Sequence, residues 1–265
     1  IYASLNYDHL EELNQGISYT DIAKTLLDNF EPSHYLIGAM YQLMTKLQTT
    51  SSEELNDISD LIISRFITIE ESAQTNELLA RCVPYITRDE LKQTVLNFVI
   101  ENMKATVNRS DVDLFGSQIG ILMVCDDIIE EEHVVLALDL SLLKLQQSVR
   151  FFTDISSLIG TLATPPYFLE KIDEFYPFIC KAIASDDFEL QDSAIRCVGD
   201  IGRGDSQVLY AVLHAYTRGS KDREGLLTLI FKEFKKTENE LLKTACVSTF
   251  GDIFLGCPIS SFEIT

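Results

Sequence analysis

Carboxylates are the side chains in this sequence whose grouping could carry chemistry. They gather at Asp126-Asp127 with Glu130-Glu131-Glu132 and at Asp186-Asp187 with Glu189 and Asp192, and they return at Asp200 and Asp252. Acids so placed can focus Lys and Arg side chains of a ligand, complement the positive end of a helix, or hold a hard cation. Calcium is the weaker reading for Asp126 to Glu132, because the Asp-x-Asp-x-Asp-Gly loop spacing is missing. For any single cluster, a solvated face or a helix start is the simpler use. Across 265 residues, 41 Asp and Glu stand against 21 Lys and Arg, a formal charge of -20. Such a field repels phosphate backbones and draws in polycations, so it disfavours nucleic acid and points to a basic peptide or protein surface, while also serving solubility.

Enzyme chemistry needs a nucleophile with a base, a metal cluster or a phosphate loop, and none is legible. His9, His34, His133 and His214 are scattered singly. The run Gly199-Asp200-Ile201-Gly202-Arg203-Gly204 resembles a phosphate loop in letters only, since it follows a helical pattern and reads as a helix C-cap. Gly116-Ser117-Gln118-Ile119-Gly120 likewise lacks the strand-turn-helix setting of a nucleophile elbow. The six cysteines, at 82, 125, 180, 197, 246 and 257, form no Cys-x-x-Cys and read as small buried hydrophobes in a reducing compartment. No catalytic residue, metal or cofactor is expected. No secretory leader or membrane-length apolar run is legible either, so a soluble intracellular protein without membrane contact is expected. The start at Ile1 and not Met suggests a piece of something longer.

The elements that must position these acids are helices. Apolar residues recur at spacings of three and four, 46% of the chain is apolar, and Gly and Pro number only 12 and 6. The clearest pair starts at Tyr167. Leu169, Ile172, Tyr176, Ile179 and Ile183 form one stripe; after the polar break at Ser185 to Asp187, a second carries Leu190, Ala194, Ile195, Val198 and Ile201. Two amphipathic helices with a short acidic turn make a helical hairpin. Pro177 falls inside the first helix, where it removes a hydrogen bond and predicts a kink. Upstream, helices are expected around 20–29, 34–48, 53–66, 75–83, 89–106, 111–126 and 131–146.

The hairpin repeats. An apolar-Gly motif stands at Gln118 to Leu122, Leu158 to Leu162 and Cys197 to Ile201, placing Gly120, Gly160 and Gly199 at steps of 40 and 39 residues. Gly251 follows 52 residues later, a longer step that a charged insertion around Gly219 to Glu224 explains. Glycine in mid-helix costs about 1 kcal/mol relative to Ala, so its return at one phase predicts a close approach of neighbouring helices. A period near 40 with two helices per unit is HEAT-like. The expected fold is all-α, an α-α superhelix of HEAT/armadillo-like repeats spanning 1–265 as one solenoid segment, clearest over 111–265.

Tyr167 to Arg203 resembles the importin-β (karyopherin-β) nuclear transport receptors. The resemblance rests on the helix Phe168-Leu169-Glu170-Lys171-Ile172-Asp173-Glu174-Phe175-Tyr176-Pro177-Phe178, the turn Val198-Gly199-Asp200-Ile201-Gly202-Arg203, and Ser248-Thr249-Phe250-Gly251-Asp252-Ile253 at similar spacing. It implies middle-to-late repeats of a longer receptor of cytoplasm, nucleus and nuclear pore. The partners it implies are a basic cargo helix or importin-α on the concave face, Phe-Gly nucleoporins on the outer face, and Ran-GTP in the full-length receptor. The family stacks cargo against inward-facing tryptophans and this chain has none, so its grip is electrostatic or lies in other repeats. With the second helix of each hairpin lining the concave face, Glu189, Asp192, Asp200, Glu240 and Asp252 are the candidate cargo contacts. Phe175, Phe178, Phe231 and Phe234 are the nucleoporin candidates, against core packing as the simpler use of each. Another HEAT scaffold, a phosphatase regulatory or coat/adaptor subunit, is the alternative.

Overall fold

The computed structural model describes residues 18–30, 33–47, 52–67, 72–86, 88–162, 165–202, 219–220 and 223–256. Twelve α-helices run through them: α1 Tyr19–Asn29, α2 His34–Leu47, α3 Ser52–Phe66, α4 Ala73–Cys82, α5 Asp89–Thr106, α6 Val112–Val124, α7 Glu131–Gln147, α8 Phe152–Leu162, α9 Pro165–Ile183, α10 Phe188–Gly202, α11 Leu226–Lys236 and α12 Glu240–Gly256. Every helix expected from the upstream pattern is present. Polar side chains start them: Ser18, Ser72, Asp111, Asp187 and Asn239 accept N–H groups of α1, α4, α6, α10 and α12 at 2.9–3.4 Å, satisfying donors that a helix start leaves unpaired; of these, Asp187 lies in the break the sequence marks. No helix among the described residues is long and apolar enough to cross a membrane.

Helix α9 continues through Pro177 to Ile183, and α10 runs as far as Gly202. Arg203 and Gly204 lie outside the described residues. The charged insertion is not helical: Gly219–Ser220 (β1) and Arg223–Glu224 (β2) pair antiparallel, Gly219 with Glu224 and Ser220 with Arg223. Gly219 has φ 83°, a left-handed value that glycine adopts without strain. Tyr176 on α9 donates its hydroxyl to the Glu224 carbonyl, which ties the insertion to the preceding hairpin.

Contacts divide the chain into two compact units, Ile1–Asn102 with Gly120–Ile128 and Met103–Ile119 with Ile129–Thr265. The division falls inside α5 and α6, so no linker marks it in the sequence. In the first unit α1 packs on α3 and α2 on α4. Arg81 of α4 lies 3.7 Å from the centre of the Tyr41 ring of α2, a cation–π contact that holds the second row together. Arg88 bonds Asp60 at 2.8 Å and Lys92 bonds Asp127 at 2.5 Å.

In the second unit the hairpins α7–α8, α9–α10 and α11–α12 lie in register. The first helices form one row, α7 on α9 on α11, and the second helices another, α8 on α10 on α12. Ile172, Ile179 and Ile183 of α9 and Leu190, Ala194, Ile195 and Val198 of α10 are buried as the spacing predicts, but on α9 Phe175 is buried where the stripe had Tyr176, which is half-buried.

A lysine sits at the root of this unit. Lys144 of α7 is 1% exposed. Its Nζ donates to the Thr106 carbonyl at 3.1 Å and to the Arg109 carbonyl, closing the C-terminal end of α5 where carbonyls lack helical partners. The rings of Phe115 and Phe151 meet edge to face at 5.6 Å and lie 5.2 and 4.9 Å from the ammonium. Burial pushes its pKa down, and Asp111 opposes that shift. Lys144→Met keeps the length of the side chain and removes both bonds, although the Thr106 carbonyl keeps the Arg109 N–H at 2.8 Å; it costs about 1–2 kcal/mol, measured as a lower chemical-denaturation midpoint. An unchanged midpoint would contradict this role.

Candidate protein-binding surface

The acids named from the sequence sort into three kinds of environment. Glu189 and Glu240 are exposed in the first turns of α10 and α12, where the positive helix end favours them. Glu240 also bonds Lys243 at 2.8 Å. Asp192, one turn into α10, is half-buried and accepts from Arg196 Nε at 2.8 Å. That hydrogen bond pushes the Arg196 pKa up, against partial burial. Asp192 Oδ1 is enclosed without a hydrogen-bond partner.

Asp200 and Asp252 have a different task. A methyl group built on Gly160 of α8 would stand 2.9 Å from Asp200 Oδ2, and one on Gly199 of α10 would stand 3.2 Å from Asp252 Oδ2 and 3.3 Å from the Thr249 backbone. Each aspartate therefore rests on the bare backbone of the preceding second helix. Thr249 Oγ1 adds a bond to the Ile195 carbonyl at 2.9 Å. The repeated Gly-Asp pair is thus a stacking device before it is a ligand contact. The glycine register marks the close approach at Gly160 and Gly199 but not at Gly120, which has nothing within 4 Å; one turn earlier, Gly116 takes that part, against Asp154.

The phenylalanines divide as well. Phe175 is wholly buried; it is core and cannot form an outward slot. Phe178 and Phe234 are half-buried, and Phe231 on α11 is 46% exposed. The Phe231 ring meets Phe250 at 6.4 Å and lies under Lys235 at 4.2 Å.

Two features escaped the sequence. His133 Nδ1 accepts the Glu130 N–H at 3.1 Å, so the Glu-x-x-His spacing is a reciprocal cap on α7. Glu130, Glu132 and His133 bring one ligand atom each within 4.8 Å of the others, and Glu130, Glu131, Glu132, Val135, Leu136 and Asp139 line an open groove of about 520 Å³. Exposed acids gather at a helix start without an ion. Asp126 and Asp127, which adjoin this run in sequence, belong to the first unit. The second missed feature is Asp154, half-buried on α8 above Gly116. Burial raises its pKa to about 6, with Asp113 adding to the shift.

Among the cysteines, Cys82, Cys125, Cys197 and Cys246 are buried free thiols and Cys180 is a half-buried one. Burial pushes Cys125 up to about 12 and Cys246 to about 11, leaving them inert as nucleophiles near neutrality. Cys257 and His9 lie outside the described residues.

No known family and no curated protein matches the chain. Solved structures do. An engineered protein superposes with a TM-score of 0.55 at 14% identity, over 87% of this chain and 98% of its own. A designed armadillo repeat protein superposes with a TM-score of 0.52 at 12% identity, over 89% and 100%. The chain is an α-α superhelical repeat protein. At these identities the likeness establishes the fold, which is the scaffold on which the acids and aromatic side chains above are arrayed.

Asp154 gives this scaffold a pH dependence whose sign is fixed. Its folded pKa of about 6 lies above the unfolded value of about 3.9, so its contribution is fully present below pH ~4 and lost as pH rises through ~6. Asp154→Asn removes that loss. The variant should gain on the wild type as pH rises from ~4 to ~7, reaching about 1 kcal/mol after discounting for solvent screening at its exposed edge. Thermal unfolding across that range reads the difference, and a gap that is flat or closes would refute it.

Proposed function

We propose that this repeat protein is a stretch of a nuclear transport receptor of importin-β type, which holds a basic helical segment of cargo or of importin-α against the second helices α10 and α12. The observation that carries the reading is the row of acids those helices present: Glu189, Asp192 and Asp200 on α10, Glu240 and Asp252 on α12. They lie in a chain of formal charge -20, and the helices are held side by side by their glycines. The resemblance of Phe168 to Arg203 and of Ser248 to Ile253 to that family supports it. Glu189 and Glu240 are the direct contacts. Asp200 and Asp252 hold the spacing and add field, and Asp192 contributes through its ion pair with Arg196.

On the first-helix row, Phe231 of α11 offers an exposed ring, with Phe234 and Phe178 half-buried. These three are the side chains we assign to Phe-Gly nucleoporin contact. A Phe side chain entering between outer helices needs an apolar slot with a solvated rim, which Lys232 and Lys235, both exposed, provide. Ran-GTP is a partner of the full-length receptor in this reading, and the localisation that follows is cytoplasm, nucleus and nuclear pore.

Titration with the basic amino-terminal peptide of importin-α tests the reading. Affinity should fall steeply with added salt, since exposed charges are screened over about 8–10 Å at physiological ionic strength. Glu189→Lys and Glu240→Lys should each weaken binding by about threefold or more, from roughly 0.7 kcal/mol per exposed pair, without loss of helix content. A Phe-Gly peptide should bind separately and respond to Phe231→Ala. No binding of either peptide would return the chain to the general class of repeat scaffolds.

A further inference from the structure

We propose that the starts of the second helices form a strip that selects three different kinds of side chain: Arg150, Glu189 and Leu241, at one structural position on three successive helices, take an acid, a base and an apolar residue of one partner helix. The inference deepens the cargo reading above and rests on it, in that the partner is a helix lying across the second-helix row.

Hydrogen bonds fix the equivalence of the three positions. Ser148, ahead of the short 3-10 turn Val149–Phe151 that leads into α8, accepts the Arg150 N–H at 3.3 Å. Asp187 accepts the Glu189 N–H at 3.1 Å at the start of α10, and Asn239 accepts the Leu241 N–H at 2.9 Å at the start of α12. The three acceptors stand 39 and 52 residues apart, the same steps that separate Gly160, Gly199 and Gly251. With α8 packed on α10 and α10 on α12, and with Asp200 over Gly160 and Asp252 over Gly199, the residue held by each cap comes to the same place on its helix. Those residues are a cation, an anion and a hydrocarbon.

Folding needs none of the three. Arg150 and Glu189 are exposed, and neither makes an ion pair among the described residues. Leu241 is 66% exposed. A hydrophobic staple does not account for it, because that motif uses the residue before the cap, which on α12 is Glu238. In a strip that served solubility, or that only gathered polycations, the place of Leu241 would go to a polar residue or an acid, and the place of Arg150 would not go to a cation.

Spacing and charge state the chemistry of the occupant. Packed helices stand about 8–10 Å apart, and a helix rises about 1.5 Å per residue and returns to one face after roughly seven. A helical occupant crossing the starts of α8, α10 and α12 therefore meets them at about i, i+7 and i+14. Complementarity puts Asp or Glu over Arg150, Lys or Arg over Glu189, and Leu, Ile, Val or Met over Leu241, whose exposed area such a residue removes from water. A uniformly basic helix meets Arg150 as a like charge and is held to α10 and α12.

The test uses two helical peptides that differ at one residue. One carries Glu, Lys and Leu at i, i+7 and i+14, and the other Lys, Lys and Leu. The chain's formal charge of -20 favours the second on net charge alone. The first should nevertheless bind more tightly at physiological salt, by about threefold or more, as expected when one exposed pair turns from repulsion to attraction. Arg150→Glu should reverse that order, and Leu241→Gln should weaken both peptides by about threefold without loss of helix content. Equal or tighter binding of the Lys, Lys, Leu peptide by the wild-type chain, or an order that survives Arg150→Glu, overturns the proposal and leaves the cargo reading standing. Failure of both peptides while the amino-terminal peptide of importin-α binds overturns it as well, and failure of all three removes the cargo reading with it.

Discussion

A carboxylate from one helix lies on the bare backbone of another at Gly160 and again at Gly199, and this contact sets how near α8, α10 and α12 can come. Glycine in mid-helix is a liability for the isolated helix. In a row of helices it becomes the point of closest approach, and the loss is recovered in side-chain burial: Ile195, Val198, Ala245, Cys246 and Thr249 are all enclosed between α10 and its neighbours. Because each hairpin touches only those beside it, one such contact per step is enough to keep a repeat array in register.

The same arrangement governs the charges. With α10 and α12 held side by side, Glu189 and Glu240 each stand exposed in the first turn of their helix, one residue apart in the 52-residue register that matches Asp200 to Asp252. Asp154 on α8 shows what enclosing a carboxylate in this scaffold costs, its carboxyl raised to about 6 mainly by burial, with Asp113 adding to the shift. On α10 and α12, Arg196 pairs with Asp192 and Lys243 with Glu240, and under the proposed function a basic ligand would supply the same kind of counter-charge.

Much of this was legible in the residues. The three-and-four spacing marked the helices up to 131–146 and the Tyr167 hairpin, because an amphipathic stripe is a local property of sequence, but it left α8 at Phe152–Leu162 unassigned. The glycine register was legible at Gly160 and Gly199 and misleading at Gly120, since the partner that decides between Gly116 and Gly120 is Asp154, more than 30 residues away. Phe175 could not be assigned a side from its letter: the spacing put Tyr176 in the stripe, and the structure buries Phe175. Lys144 was hidden for a related reason: a lysine within Leu140 to Leu145 looks like a solvated break, and only the carbonyls of Thr106 and Arg109 explain it. The charged insertion was visible as a longer step; its small β-ladder was not, because two-residue strands carry no period.

Hydrogen exchange of the full chain with and without the basic amino-terminal peptide of importin-α, at low salt, addresses the central claim most directly. The account predicts added protection confined to α10 and α12, strongest near Glu189 and Glu240. Protection centred instead on the Glu130 to Asp139 groove, or none in any helix under conditions where the peptide is saturating for a known receptor, would contradict it.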